Sequence, residues 1–180
     1  MLDLFPRHEF DKAVKKHEAE KGSKGFSSWT QFVAMEFCQL GGAKSLREIC
    51  GGLRGCEGKL KHLGVKEPPS PSTLSYANAN RPWELYQTVF EQMLGKCQGL
   101  ASEQHKKLRF KSKIMSLDSS TIDLCLSVFN WAHFRQTKGA VKLHLLLDHD
   151  GYLPTYAVIT DGKKADITVA RRMNALRERF

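Results

Sequence analysis

IMSLDSST (residues 114–121) and VKLHLLLDHDGYLPTYAVIT (residues 141–160) are the stretches that decide the fold. The second sets two apolar runs around the turn Asp148 to Gly151, the pattern of a β-hairpin with strands over 141–147 and 152–160. The first reads as a strand entering an interior over 114–118. The β-branched and apolar residues of 119–129 suggest a second segment of the same sheet. Ahead of it, residues 108–113 alternate basic and apolar side chains. Asp161 and Gly162 close the hairpin. A helix starting at Ala165 or Asp166 then carries Ile167, Ala170, Met173 and Leu176 as an apolar stripe. Three strands and one helix leave apolar faces uncovered, so this domain is expected to be unfinished at Phe180.

Residues before about 108 read as helical. Leu4, Phe5, Phe10, Val14 and His17 recur at near-helical spacing, with Pro6 suited to a first turn. A basic loop, Lys21 to Lys24, leads to Ser27 or Ser28, either of which can cap an apolar helix that Gly41 and Gly42 stop. Ser45 and Glu48 fit a capping box for a short helix over 45–54. A short basic segment, 59–62, follows. The Pro-rich connection from Pro68 then leads to a polar helix over 72–81, capped by Ser70 or Ser72, and an amphipathic helix over about 82–100.

The chain of 180 residues carries 28 Lys and Arg against 19 Asp and Glu, a net charge of +9. Residues 1–113 hold 19 basic and 12 acidic side chains (+7); residues 114–180 hold 9 and 7 (+2). A basic front half points to a polyanionic partner, because neutralised phosphates release counterions. The same charge also serves solubility alone. The five cysteines, Cys38, Cys50, Cys56, Cys97 and Cys125, form no CxxC pair, which suits reduced thiols and argues against structural zinc. No apolar run approaches the roughly 20 residues that span a bilayer, so no membrane is expected. The start, MLDLFPRHEF, lacks the basic end and apolar stretch of a signal peptide. The expected location is cytoplasmic and, with DNA bound, nucleoid-associated.

Two segments carry candidate chemistry. The helices over 45–54 and 72–81 could form a helix-turn-helix in which Asn78 and Asn80 meet base edges and Arg81 meets guanine or phosphate. Lys59, Lys61 and Lys66 would sit over the backbone, positioning without specifying. A plain helical bundle with surface Ser and Asn fits the same residues. In the second segment Asp118 shares a strand face with Ser116 and Ser120. A carboxylate on an apolar strand is expensive to bury unless it is paired or holds a metal. A turn Asp satisfied by neighbouring hydroxyls is the equal alternative. Asp123 leans to a structural role, since a regular strand turns it away from Asp118 unless a bulge intervenes. Asp161 reads as a turn residue and Asp166 as a helix N-cap. His144 and His149 read as packed or hydrogen-bonded, with no ligand partner at strand spacing. Gly51, Gly52 and Gly55 lack the lysine of a phosphate loop.

The run LDSSTIDLCLSVFNWAHFRQTKGAVKLHLLLDHDGYLPTYAVITDGKKAD (residues 117–166) resembles the opening of the catalytic domain in transposases of the insertion sequence 4 family. Leu117-Asp118-Ser119, Trp131, the segment 138–144, Pro154 and Thr160-Asp161-Gly162 carry the likeness. The front half, including 72–75 and Asn80-Arg81, is similar to the helical domain that accompanies this group. The resemblance implies an α+β chain. A helical DNA-binding domain over 1–107 precedes, over 108–180, the first strands and helix of an incomplete ribonuclease-H-like domain. It also implies a DDE triad holding two Mg²⁺ (or Mn²⁺) ions for strand cleavage and transfer at insertion-sequence ends. Only the first triad member maps here, onto Asp118, the expected catalytic and metal-binding residue. The second Asp belongs to an Asp-Arg-Gly-Tyr-like strand and the Glu to a helix with Tyr, Arg and Lys partners; neither motif is present. Metal binding and strand transfer by this chain alone are therefore not expected. The implied partners are double-stranded DNA at transposon ends, further copies of this chain, or a full-length transposase. The competing function is a non-catalytic protein that occupies or represses transposon ends. An unrelated helical regulator would require the 117–166 run to match by coincidence.

Overall fold

Pro6, with φ −59°, leads into α1 (Arg7–Lys16), and three serines start the next three helices. Ser27 Oγ accepts from Thr30 N at 3.1 Å and opens α2 (Ser28–Gly41). Ser45 Oγ accepts from Glu48 N at 3.2 Å and opens α3 (Leu46–Gly55). Ser70 Oγ accepts from Thr73 N at 3.2 Å and opens α4 (Pro71–Asn80), with Pro71 where a missing N–H costs nothing. The expected capping box is displaced by one residue: Glu48 reaches back to Lys44 N at 2.8 Å. Gly42 ends α2 in the left-handed region at φ +63°, which its lack of a Cβ allows. α5 (Glu84–Glu103) completes the helices of the front half.

The computed structural model describes residues 5–56, 58–103, 114–124, 133–135, 138–149 and 153–177. The chain is α+β and divides into two compact units, Met1–Met93 and Leu94–Phe180. The division falls inside α5, ahead of the composition change near residue 108. Leu4, Cys125, Trp131, Tyr152 and the segments 108–113 and 125–129 lie outside the described residues. Cys38, Cys50, Cys56 and Cys97 are free thiols. Among the described residues no helix is long and apolar enough to cross a membrane.

The core of the first unit is aromatic. Phe10 of α1 and Trp29 of α2 pack edge to face with centroids 5.2 Å apart, and Phe5 meets Phe32 in the same way at 5.1 Å. Ile49 and Leu53 of α3, Leu74 of α4, and Leu85 and Val89 of α5 close around them. The Trp29 indole N–H, carried inward by its ring, donates to the Leu63 carbonyl at 2.6 Å. That bond ties a 3₁₀ turn (Leu60–Leu63) to the core.

The second unit is built on an antiparallel sheet. β1 (Met115–Leu124) lies along one edge of β3 (Lys138–Asp148). β2 (His133–Arg135) and β4 (Leu153–Asp161) pair with β3 along its other edge. α6 (Asp166–Arg177) follows. The sequence reading divides β1 in two at Ser119; the structure keeps it whole, because its hydroxyl residues pair in unbroken register with β3. It also adds β2, too short to leave a periodic signal. The hairpin register slips by one residue between Leu146 and Leu147, leaving Thr155 as the extra residue beside Pro154, which has no N–H to donate.

The expected apolar stripe of α6 departs at its first member. Ile167 is 60% exposed, whereas Val169 is buried at 5%. Asp166 and Val169, three residues apart, share the face turned to the sheet. The contacts of Asp166 described below hold that face to the sheet. The side chains of Met173 and Leu176 lie outside the described residues.

Candidate nucleic-acid interface and the Asp118 strand

In the first unit α3 packs against α4, joined through residues 56–70. Gly64 at φ +72° ends the 3₁₀ turn in this connection, and Lys59, Lys61 and Lys66 all stand exposed on it. α4 is seated on the core by Leu74 and Ala77 and leaves Ser72, Ser75, Tyr76, Asn78 and Asn80 outside. The expected base-reading residues are already engaged. Asn78 Oδ1 accepts from Gln31 Nε2 at 2.7 Å, and Asn80 Nδ2 donates to the Tyr76 carbonyl at 2.8 Å. Arg81 donates to Gln31 Oε1 at 2.9 Å, to Ser23 Oγ at 3.2 Å and to the Phe26 carbonyl, with its guanidinium 5.1 Å over the Phe26 ring.

Burial lowers the Arg81 pKa, opposed by Glu20 and Tyr86; burial likewise pushes the Tyr86 phenol up to about 12. Arg81 thus fastens the 23–26 turn to α2. Removing it strands the buried Gln31 oxygen, so Arg81→Ala is expected to lower stability by about 2 kcal/mol. A shift in the urea midpoint reads this out. Arg81→Lys should recover less than half, because an ammonium cannot reproduce the planar fork. An unchanged midpoint would mean that Arg81 serves only an external ligand.

Beside Arg81 lies a cleft of about 980 Å³. Its walls are the turn after α1, with His17, Lys21, Lys24 and Phe26, and the face of α4 that carries Ser72, Thr73, Tyr76 and Asn80. In the sequence the basic loop and the polar helix are separate features. Nothing local signals that they face each other, since more than 45 residues separate them.

In the second unit Asp118 sits at mid-strand opposite Leu145 of β3. It is exposed, and among the described residues its carboxylate makes no hydrogen bond or ion pair. Burial therefore does not force a partner on it, and a mid-strand position excludes the turn-Asp alternative. Ser116, on the same face, is hydrogen-bonded to His149 Nε2 at 3.0 Å. Asp123 pairs with Ala140 in an uninterrupted register, so it keeps the parity opposite to Asp118.

The other face carries a polar cluster. Asp166 accepts from Ser119 Oγ at 3.1 Å and from Lys142 Nζ at 3.4 Å. Its Oδ1 also lies 3.2 Å from Nδ1 of His144, a fully buried ring whose Nε2 is 2.9 Å from Thr160 Oγ1. The Ser119 bond and Lys142 hold the Asp166 carboxyl below its ordinary value. Asp166 is thus the first residue of α6 and an anchor to the sheet, not the N-cap its sequence suggests. His144 is packed and hydrogen-bonded as expected, but with a carboxylate neighbour supplied from outside its own strand. Asp161 Oδ1 accepts from Lys163 N at 3.1 Å, the turn role read for it.

Residues 1–66 match the profile of a domain of unknown function (DUF4372). That domain occurs in transposase-like proteins. No curated protein and no solved structure matches the chain.

A two-ion centre needs several carboxylates converging on one point. Among the described residues no three His, Cys, Asp or Glu side chains form a group that could hold a metal ion. Asp118 with its hydroxyl neighbours does not by itself fit such a centre.

Proposed function

We infer that this chain is a DNA-binding protein of transposase descent, of the insertion sequence 4 type, whose helical unit engages double-stranded DNA. The helical unit supplies charge for the phosphate backbone through Lys59 and Lys61, which stand exposed where nothing internal claims them for packing. Asn78 and Arg81 serve the fold first. The sheet is read as the opening of a ribonuclease-H-like domain. What supports the reading most is Asp118: a carboxylate held at mid-strand, exposed, on the face opposite the Asp166 cluster, within the family-like run 117–166. The match of residues 1–66 to a domain of transposase-like proteins adds to it.

One mapped carboxylate is too few for two-metal chemistry. The 180-residue chain alone is therefore expected to give no Mg²⁺- or Mn²⁺-dependent cleavage of transposon-end DNA, read as the absence of product on a denaturing gel. Cleavage that disappears in Asp118→Ala would contradict this, and would mean that other carboxylates arrive from a second subunit. An open reading frame running past the Phe180 codon into Asp-Arg-Gly-Tyr-like and Tyr-Arg-Glu-Lys-like motifs would support descent. The competing role, occupancy or repression of transposon ends, needs only the helical unit and predicts the same binding without catalysis.

A further inference from the structure

Lys21 and Lys24 stand exposed on the turn after α1, bent through left-handed backbone by Gly22 at φ +72° and Gly25 at φ +82°. Across the 980 Å³ cleft, α4 presents Tyr76, which is 72% exposed although the helix beneath it is seated on Leu74 and Ala77. Leaving a large ring in water forgoes its transfer free energy, and packing gives this one no task. An aromatic face opposite ammonium groups is the combination by which proteins take unpaired nucleic acid, the ring stacking on a base and the cations meeting phosphate. The volume lies in the range of clefts that enclose a small ligand.

Resting on the DNA-binding function above, we propose that this cleft takes one unpaired nucleotide, its base against the Tyr76 ring and its phosphate on Lys24. Lys21 is partly committed, since its Nζ lies 2.7 Å from Glu18 Oε2. Lys24 is therefore the principal phosphate contact. Asn80, four residues beyond Tyr76 on the same helix face, uses its Nδ2 on the Tyr76 carbonyl and keeps its Oδ1 as an acceptor for a base edge. Arg81 is a positioning residue here. By holding Ser23 and the Phe26 carbonyl it fixes one wall of the cleft relative to α4. A duplex lying on the surface would meet the lysines but has no use for a ring inside a cleft.

Fluorescence anisotropy with the full 180-residue chain tests the proposal. The probes are a blunt duplex and the same duplex with a three-nucleotide single-stranded overhang. The overhang is expected to bind about tenfold tighter, the size of one base–aromatic stack. Tyr76→Ala should remove that preference while leaving the blunt-duplex Kd and the melting temperature unchanged, and Tyr76→Phe should retain it. A ribonucleotide overhang run beside the deoxyribonucleotide one tells which strand chemistry is preferred; tighter binding of either supports an unpaired nucleotide. Equal affinity of wild type for blunt and overhanging DNA overturns the cleft proposal while sparing the duplex-binding function. So does a preference that survives Tyr76→Ala, or an equal loss on both probes. No binding of any probe overturns both.

Discussion

Lys59→Ala/Lys61→Ala is expected to weaken binding of duplex DNA by about 200-fold at 50 mM salt and about 30-fold at 150 mM. Each phosphate neutralised contributes about 0.9 to the slope of log K against log salt, so losing two removes about 1.8 from it. Both lysines are exposed on the connection between α3 and α4. Their removal strands no buried partner and should leave the fold intact. The loss should be uniform across DNA sequences, as befits contacts that position without reading bases. A double variant that binds as well as wild type, with the same salt slope, would move the interface to another face of the helical unit.

Trp29→Ala is expected to cost about 3–5 kcal/mol, the usual range for deleting a buried tryptophan side chain. The ring meets Phe10 edge to face, packs 5.6 Å from the Phe32 centroid and lies under the Arg7 guanidinium at 5.5 Å. Its N–H is also the partner of the Leu63 carbonyl. The variant therefore opens a cavity and releases the 3₁₀ turn that Leu63 ends. Small domains are stable by only about 5–15 kcal/mol, so a large share of the margin would go. Denaturant titration followed by far-ultraviolet circular dichroism measures it. Trp29→Phe should cost less but still leave the Leu63 carbonyl without its donor. A loss below about 1 kcal/mol for Trp29→Ala would mean that the aromatic cluster is not the core of this unit.

The helices were legible because their starts are chemical events local in sequence. A serine hydroxyl three residues before the amide it accepts from is readable at Ser27, Ser45 and Ser70. So is the glycine that ends α2. The hairpin was legible from two apolar runs around a turn, though not its bulge at Thr155. What escaped depends on residues far apart. The anchoring of α6 to the sheet follows from Asp166 reaching Ser119 and Lys142, 47 and 24 positions away. The internal role of Arg81 follows from Gln31 and Phe26, 50 and 55 positions away. Residue type alone made Asn78 and Arg81 attractive as DNA contacts, because the groups that read a base edge also satisfy a buried glutamine. For Asp118 the alternation of a strand correctly gave its face and its neighbours Ser116 and Ser120. Its exposure was not legible, and it removes the burial cost that first drew attention to it.

The most direct test of a DNA-binding helical unit is anisotropy of a labelled duplex titrated with the 180-residue chain between 50 and 200 mM salt. If Lys24, Lys59 and Lys61 each neutralise one phosphate, log K should fall with a slope of about −2.7, a loss of about 40-fold over that range. Failure to bind duplex at 50 mM, or an affinity indifferent to salt, would contradict the account.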